Sequence, residues 1–222
     1  MLKVLNHGHV RLVESMGSDL SVVRNARVSY DAEWRTGDDA GKDAKLINYL
    51  VKNGHTSPLE AVQFTFDIKA PIFVLRQWHR HRTWSYNEVS ARYTELPEEF
   101  YVPEVEQITT QSTSNKQMRT DVQHPEVDYI RLAVMESCAA SFLVYRNLLA
   151  KGVPRELARG VLPMNTYSHM FATVDLMNLA KFFKLRLHEH SQYEIRVYAE
   201  AMLTLVEPLV PVAVAAIREY WL

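Results

Sequence analysis

The chain has 222 residues, 47% of them hydrophobic, which is enough to bury one good core. Its 25 Lys and Arg against 26 Asp and Glu leave a net charge of −1, without the broad positive charge of a general nucleic-acid binder. Seven glycines and nine prolines exclude a low-complexity protein, and the single cysteine, Cys138, excludes an internal disulfide and a zinc ribbon.

Residues 2–5 and 10–13 read as short strands around the turn-like Asn6-His7-Gly8-His9. The first ten residues lack the apolar core of a signal peptide. Ser18 and Asp19 are placed to cap a helix over 20–27, and a polar connector, 31–42, follows Ser29 and Tyr30. A second helix over 44–52 ends at Gly54, where a left-handed C-cap belongs. Ser57-Pro58-Leu59-Glu60 has the pattern of a capping box, so a short helix is expected there. Val62, Phe64, Phe66 and Ile68 alternate with polar residues, as in a half-buried strand. Pro71 then opens a helix expected to carry Arg76 and Arg80 on one face and to break near 82–86.

Residues 104–123 are polar and read as an exposed loop within a single domain covering 1–222. A long helix is predicted over 127–150, apolar at Ile130, Val134, Cys138, Ala139, Phe142 and Leu148, with Gly152 ending it. Further helices are expected over 155–161, 176–188 (N-capped by Asp175), 193–206 and 213–221, with a strand at 167–174. The longest apolar run, 208–217, is half the ~20 residues of a membrane span. The expectation is a soluble, cytoplasmic α+β protein, several helices packed on a mostly antiparallel sheet, since the strands follow no regular βα alternation.

The chemistry concentrates in residues 76–93, where Arg76, Arg80, Arg82 and Arg92 share a window with one acid, Glu88. Arginine forks suit phosphate, each charge-assisted bond contributing about 1.5–3 kcal/mol net. Pairing with carboxylates elsewhere is the ordinary alternative. Arg155, Arg159 and Asn165 form a second cluster, and Arg186, His188 and His190 a third. The pairs His7/His9, His79/His81 and His188/His190 are spaced by two, which on a helix turns the rings about 200° apart, so no metal site is expected. Among glycine patterns, neither a nucleophile elbow, a dinucleotide fingerprint nor a Walker loop occurs.

Arg80-His81-Arg82, followed after seven residues by Ser90, resembles the signature of the flavin-dependent thymidylate synthases. Ala26-Arg27-Val28-Ser29, Asn53-Gly54-His55, Ala70-Pro71-Ile72-Phe73-Val74, Ser85-Tyr86-Asn87-Glu88 and Pro154-Arg155-Glu156 with Leu162-Pro163 resemble the same family, in its order. The resemblance implies conversion of dUMP to dTMP with methylenetetrahydrofolate as carbon donor, FAD as cofactor and NADPH as reductant, in a homotetramer with sites between subunits. It places Gln77, Arg80, Glu88, Val89, Ser90, Ala91, Arg92 and Arg159 around dUMP, and makes Arg186 the catalytic cation beside the uracil ring. Flavin contacts would come from Ser29, His55, Ser57, Arg80, His81, Arg82, Glu88 and His190. Where family members often show Asn-x-Arg and then Asn against the flavin, this chain has Asp175, Met177 and Lys181, so one end of FAD would be held differently. Competing readings are a single-stranded nucleic-acid binder using interleaved arginines and aromatics, and a nucleotide or flavin binder without catalysis.

Overall fold

Phe64, Phe66, Ile68 and Ala70, alternate residues of β3 (Gln63–Pro71), are buried, as in a strand with one face on a core. In the computed structural model, which describes residues 1–37 and 41–222, β3 is the centre of a five-stranded antiparallel sheet. The order is β1 (Leu2–Val4), β2 (Gly8–Met16), β3, β7 (Tyr167–Asp175) and β4 (Ser85–Glu88). β3 and β7 pair along their whole length, from Gln63 opposite Asp175 to Pro71 opposite Tyr167. β2 runs further than the predicted 10–13 because a bulge between Leu12 and Glu14 lets its pairing with β3 continue to Met16. The whole forms a single α+β domain, as expected.

Helices cover one face. In α7 (Tyr193–Val206) Ile195, Tyr198, Ala199, Met202 and Val206 are buried at helical spacing. The Tyr198 hydroxyl donates to the Lys69 carbonyl at 2.7 Å, directly over Gly8. A Cβ at Gly8 would lie 2.0 Å from that hydroxyl and 2.5 Å from the Val4 carbonyl, so only glycine lets the helix close on the sheet. Trp78, at the end of α3 (Ile72–Trp78), stacks on Phe182 of α6 (Leu176–Arg186) with centroids 4.9 Å apart. Burying such rings stabilises by about 1.5–3 kcal/mol each, so this contact fixes α3 against α6.

Asp175 N-caps α6, its carboxylate accepting from Asn178 N at 2.9 Å. Asp19, in the first turn of α1 (Asp19–Arg27), acts across the fold, accepting from Val212 N and Ala213 N at the start of α8 (Pro211–Trp221). α2 (Lys42–Lys52) joins α8 through Trp221 Nε1, which donates to the Val51 carbonyl at 3.0 Å. Within the predicted connector 31–42 the structure has a 3-10 turn at Glu33–Arg35; residues 38–40 lie outside the described residues.

Four local expectations change. Ser57–Ala61 is a 3-10 turn with Thr56 before it and no side-chain cap, too short for the capping box its sequence suggests. α3 stops at Trp78, so Arg80 lies in the following turn and does not share a helix face with Arg76. The 104–123 segment holds a 3-10 turn (Val105–Gln107) and a hairpin of β5 (Thr109–Gln111) and β6 (Arg119–Gln123), although much of its surface is exposed. In α4 (Val127–Ala150) only Cys138, Phe142 and Tyr145 are buried; Ala139 is exposed because the helix meets its own chain along one narrow stripe. Among the described residues, no helix is long and apolar enough to cross a membrane.

Candidate active site

α3 delivers Gln77, and the chain then turns through His79, Arg80 and His81, with His81 N donating to the Trp78 carbonyl at 2.9 Å. The Tyr86 hydroxyl donates to the carbonyls of Trp78 (3.2 Å) and His81 (2.9 Å), tying β4 to this turn. The turn therefore has a fixed shape, with Arg80 and Arg82 exposed on it and His81 half-buried.

At the end of α6, Arg186 reaches the same turn. Its Nε donates to His81 Nε2 at 3.1 Å and its Nη2 donates to the Gln77 carbonyl at 3.0 Å. That bond requires an unprotonated Nε2, and the electrostatics agree. Burial, and the Arg186 charge beside it, push the His81 pKa down to about 4. Burial also lowers the pKa of Arg186. An arginine remains a cation regardless, so the turn carries a half-desolvated guanidinium of fixed orientation against a neutral imidazole.

Gln77 extends the arrangement, donating from Nε2 to Gln192 Oε1 at 2.5 Å. Gln192 in turn donates to the buried Glu194 at 2.8 Å, and Glu194 also accepts from Arg119 of β6 and the Tyr101 hydroxyl. Gln192, Glu194, Arg119 and Tyr101 are not singled out by the sequence reading. Pairs separated by 75 and 93 residues leave no local pattern to detect. Gln77, Arg186, Lys181, His190 and Gln117 line a cleft of about 740 Å³. Met118, beside Gln117 in the hairpin turn, touches His190, so the polar segment walls the cleft.

A second group forms after β4. Glu88 accepts from Ser168 Oγ at 2.5 Å, and Val89 N donates to the His169 carbonyl at 2.8 Å. The chain then folds tightly at Ser90, whose carbonyl accepts from Tyr93 N and Thr94 N and whose Oγ accepts from Arg92 N at 3.3 Å. Ala91 is buried beneath the turn. Arg92 pairs with Glu156 of α5 (Arg155–Ala158) at 3.3 Å, which brings the Ser90 turn beside the segment carrying the exposed Arg159.

Ser29, His55 and Ser57 are exposed, His55 lying edge-on to Tyr49. In the divergent segment both Asp175 oxygens are engaged by Asn178, and Met177 packs into the core. Lys181 alone of the three presents a charged group to the cleft.

The family model described as thymidylate synthase complementing protein matches residues 11–212. This chain belongs to the flavin-dependent thymidylate synthase family. A flavin-dependent thymidylate synthase of Thermus thermophilus is 48% identical over 221 residues, covering 100% of this chain and 79% of the relative. One from Ehrlichia ruminantium is 46% identical over 221 residues, covering 99% and 73%. A crystal structure of the UMP/dUMP methylase PolB from Streptomyces cacaoi, bound with 5-Br dUMP, superposes with a TM-score of 0.89 at 36% identity, covering 99% of this chain and 98% of that one.

The family's cofactor is FAD, and the cleft is chemically suited to it. Ser191 Oγ is a buried hydroxyl at the cleft with no partner among the described residues, where a bound polar group could satisfy it. Lys181, Lys184 and Arg186 supply positive charge for an anionic ligand, and Gln77, Gln192 and His190 supply hydrogen-bonding groups.

Proposed function

We propose that this chain methylates C5 of dUMP to give dTMP, with methylenetetrahydrofolate as carbon donor and NADPH as reductant. FAD, when bound, supplies the hydride that completes the methyl group. The observation that carries this reading is Arg186, oriented by His81 and the Gln77 carbonyl. C5 of a uracil becomes nucleophilic as negative charge develops on the ring. A preorganised guanidinium, half removed from water, stabilises that charge more than a solvated cation would.

The Ser90 turn binds the nucleotide, with Arg92 and Arg159 beside the phosphate, and Gln77, Arg80, Glu88, Val89 and Ala91 completing the dUMP contacts. Ser90 positions substrate and does not attack it: its Oγ accepts from Arg92 N, and among the described residues no histidine is hydrogen-bonded to it as a base. Cys138 supports a route without a thiolate nucleophile. It is buried, accepts from Asn165 Nδ2 at 3.1 Å, and burial pushes its pKa up.

Arg80, Arg82, His81 and His190 contact the flavin, with Ser29, His55, Ser57 and Glu88 contributing. From the divergent segment Lys181 makes the charged contact, because Asp175 and Met177 are committed to capping and packing. The enzyme works in the cytoplasm as a homotetramer with sites between subunits. Exposed Tyr129, Leu132, Met135, Leu143 and Val144 on α4 support that assembly as a surface suited to self-association. A catalytically active monomer in light scattering would refute the tetramer.

The test is Arg186→Lys, which keeps a cation and loses the fork that meets His81 and Gln77. dTMP formation should fall by about 10²–10³, the usual loss for a transition-state donor, while FAD is retained. Unchanged turnover would remove the basis of the proposal.

A further inference from the structure

The sheet face opposite the helices carries a cluster that the methylation site leaves unused. β2, β3 and β7 are neighbours, and their registers set His9 opposite Lys69, Arg11 opposite Asp67, and Lys69 opposite His169. His9, Asp67 and His169 therefore converge from three adjacent strands onto one spot. His9 Nε2 lies 3.0 Å and His169 Nε2 2.5 Å from the same atom, Asp67 Oδ1, and the three atoms all lie within 4.8 Å of one another. The other carboxylate oxygen is engaged separately, accepting from Arg11 Nε at 3.0 Å and Nη2 at 2.7 Å.

We propose that His9, Asp67 and His169 form a binding site for a zinc-class divalent cation, separate from the flavin cleft. Two imidazoles and one carboxylate are the borderline donor set such ions select. With bonds of about 2.0–2.2 Å, tetrahedral ligand atoms sit about 3.4 Å apart, a spacing inside the range here. Small side-chain movements would open the triad around an ion. Arg11 serves as an outer partner, holding Oδ2 so that Oδ1 faces the histidines. The fourth position opens onto a cavity of about 420 Å³ lined by both histidines, so water can complete the shell. The two carboxyl-directed histidines are accessible, with side chains 22% and 47% exposed, while Asp67 is 8% exposed.

The ligands lie 58 and 102 residues from Asp67, so no sequence spacing could reveal the site. Besides the ligands, the charged groups around the site are Arg11, the Lys69–Glu99 pair at 2.5 Å, Glu95, which lines the cavity and pairs with Arg155, and Lys3, opposite His9 on β1. Arg11 opposes a cation, which makes neutral histidines necessary.

The test is calorimetric titration of the chelator-treated, dialysed, assembled protein with zinc chloride. One ion should bind per chain at neutral pH. His9→Gln and His169→Gln should each weaken it by more than about 10-fold, the lower bound for disturbing even an outer partner. Because a variant could disturb folding, the parent's melting temperature is read as well. It should rise with zinc and return with chelator. Absence of binding heat with an unmoved melting temperature overturns the proposal, as does parent-like binding by both folded variants.

Discussion

Glu194 offers the sharpest energetic test of the network behind the active site. It is 3% exposed, and its carboxylate accepts from Arg119 Nη2 on both oxygens (3.0 and 2.8 Å), from the Tyr101 hydroxyl (3.1 Å) and from Gln192 Nε2 (2.8 Å). Arg119→Met leaves that carboxylate buried without its counter-charge. Breaking a fully buried pair from one side costs about 3–5 kcal/mol. Arg119 is 31% exposed and two neutral donors remain, so the expected loss is about 2–3 kcal/mol. For a chain of this size that lowers the melting temperature by about 4–12 °C. Urea titrations at fixed protein concentration, with Glu194→Met and the double variant, complete a thermodynamic cycle. The double variant should recover most of the loss, giving a coupling of about 2 kcal/mol. Single losses that add within about 0.5 kcal/mol would refute a coupled buried pair.

The other predictions concern His81, Cys138 and Gln77. His81 has its pKa lowered from 6.5 to about 4, so between those values the unfolded chain binds more protons and stability rises with pH. The full shift corresponds to about 3 kcal/mol; water at the half-buried ring reduces the expected effect to about 1–2 kcal/mol. His81→Asn should flatten that part of the pH–stability curve, and an unchanged slope would assign it to another group. Cys138→Ala should cost about 1 kcal/mol in urea and leave turnover intact; loss of turnover in the folded variant would point to a thiol mechanism. Gln77→Ala should raise KM for dUMP, as expected of a substrate contact, while the melting temperature changes little; an unaffected KM would remove Gln77 from that role.

Where local chemistry decides structure, the sequence is readable. α4 and α7 begin and end at the predicted residues because apolar spacing and flanking breakers agree, and Asp175 caps α6 as its side chain suggests. Gly54 adopts a positive φ of 69° at the end of α2, as its position requires. The β5–β6 hairpin escapes because its strands are polar and held by pairs such as Thr110 with Thr120, so no apolar alternation marks them. The early end of α3 escapes because its cause is distant in kind: Tyr86 takes the carbonyls of Trp78 and His81.

For the site, the arginine stretch is visible as a charge anomaly and, through its resemblance, as a family signature. The convergence of Arg186 on His81 and Gln77 is not, because the partners are 105 and 109 residues apart and only the packing of α3 against α6 unites them. The same holds for His9, Asp67 and His169, whose spacing has meaning only across three strands.

The most direct test of the central claim is an anaerobic absorption spectrum of the purified protein. The protein should show oxidised-flavin bands that bleach with NADPH and return on adding dUMP with methylenetetrahydrofolate, as dTMP accumulates. A colourless protein that also fails to take up added FAD would contradict it.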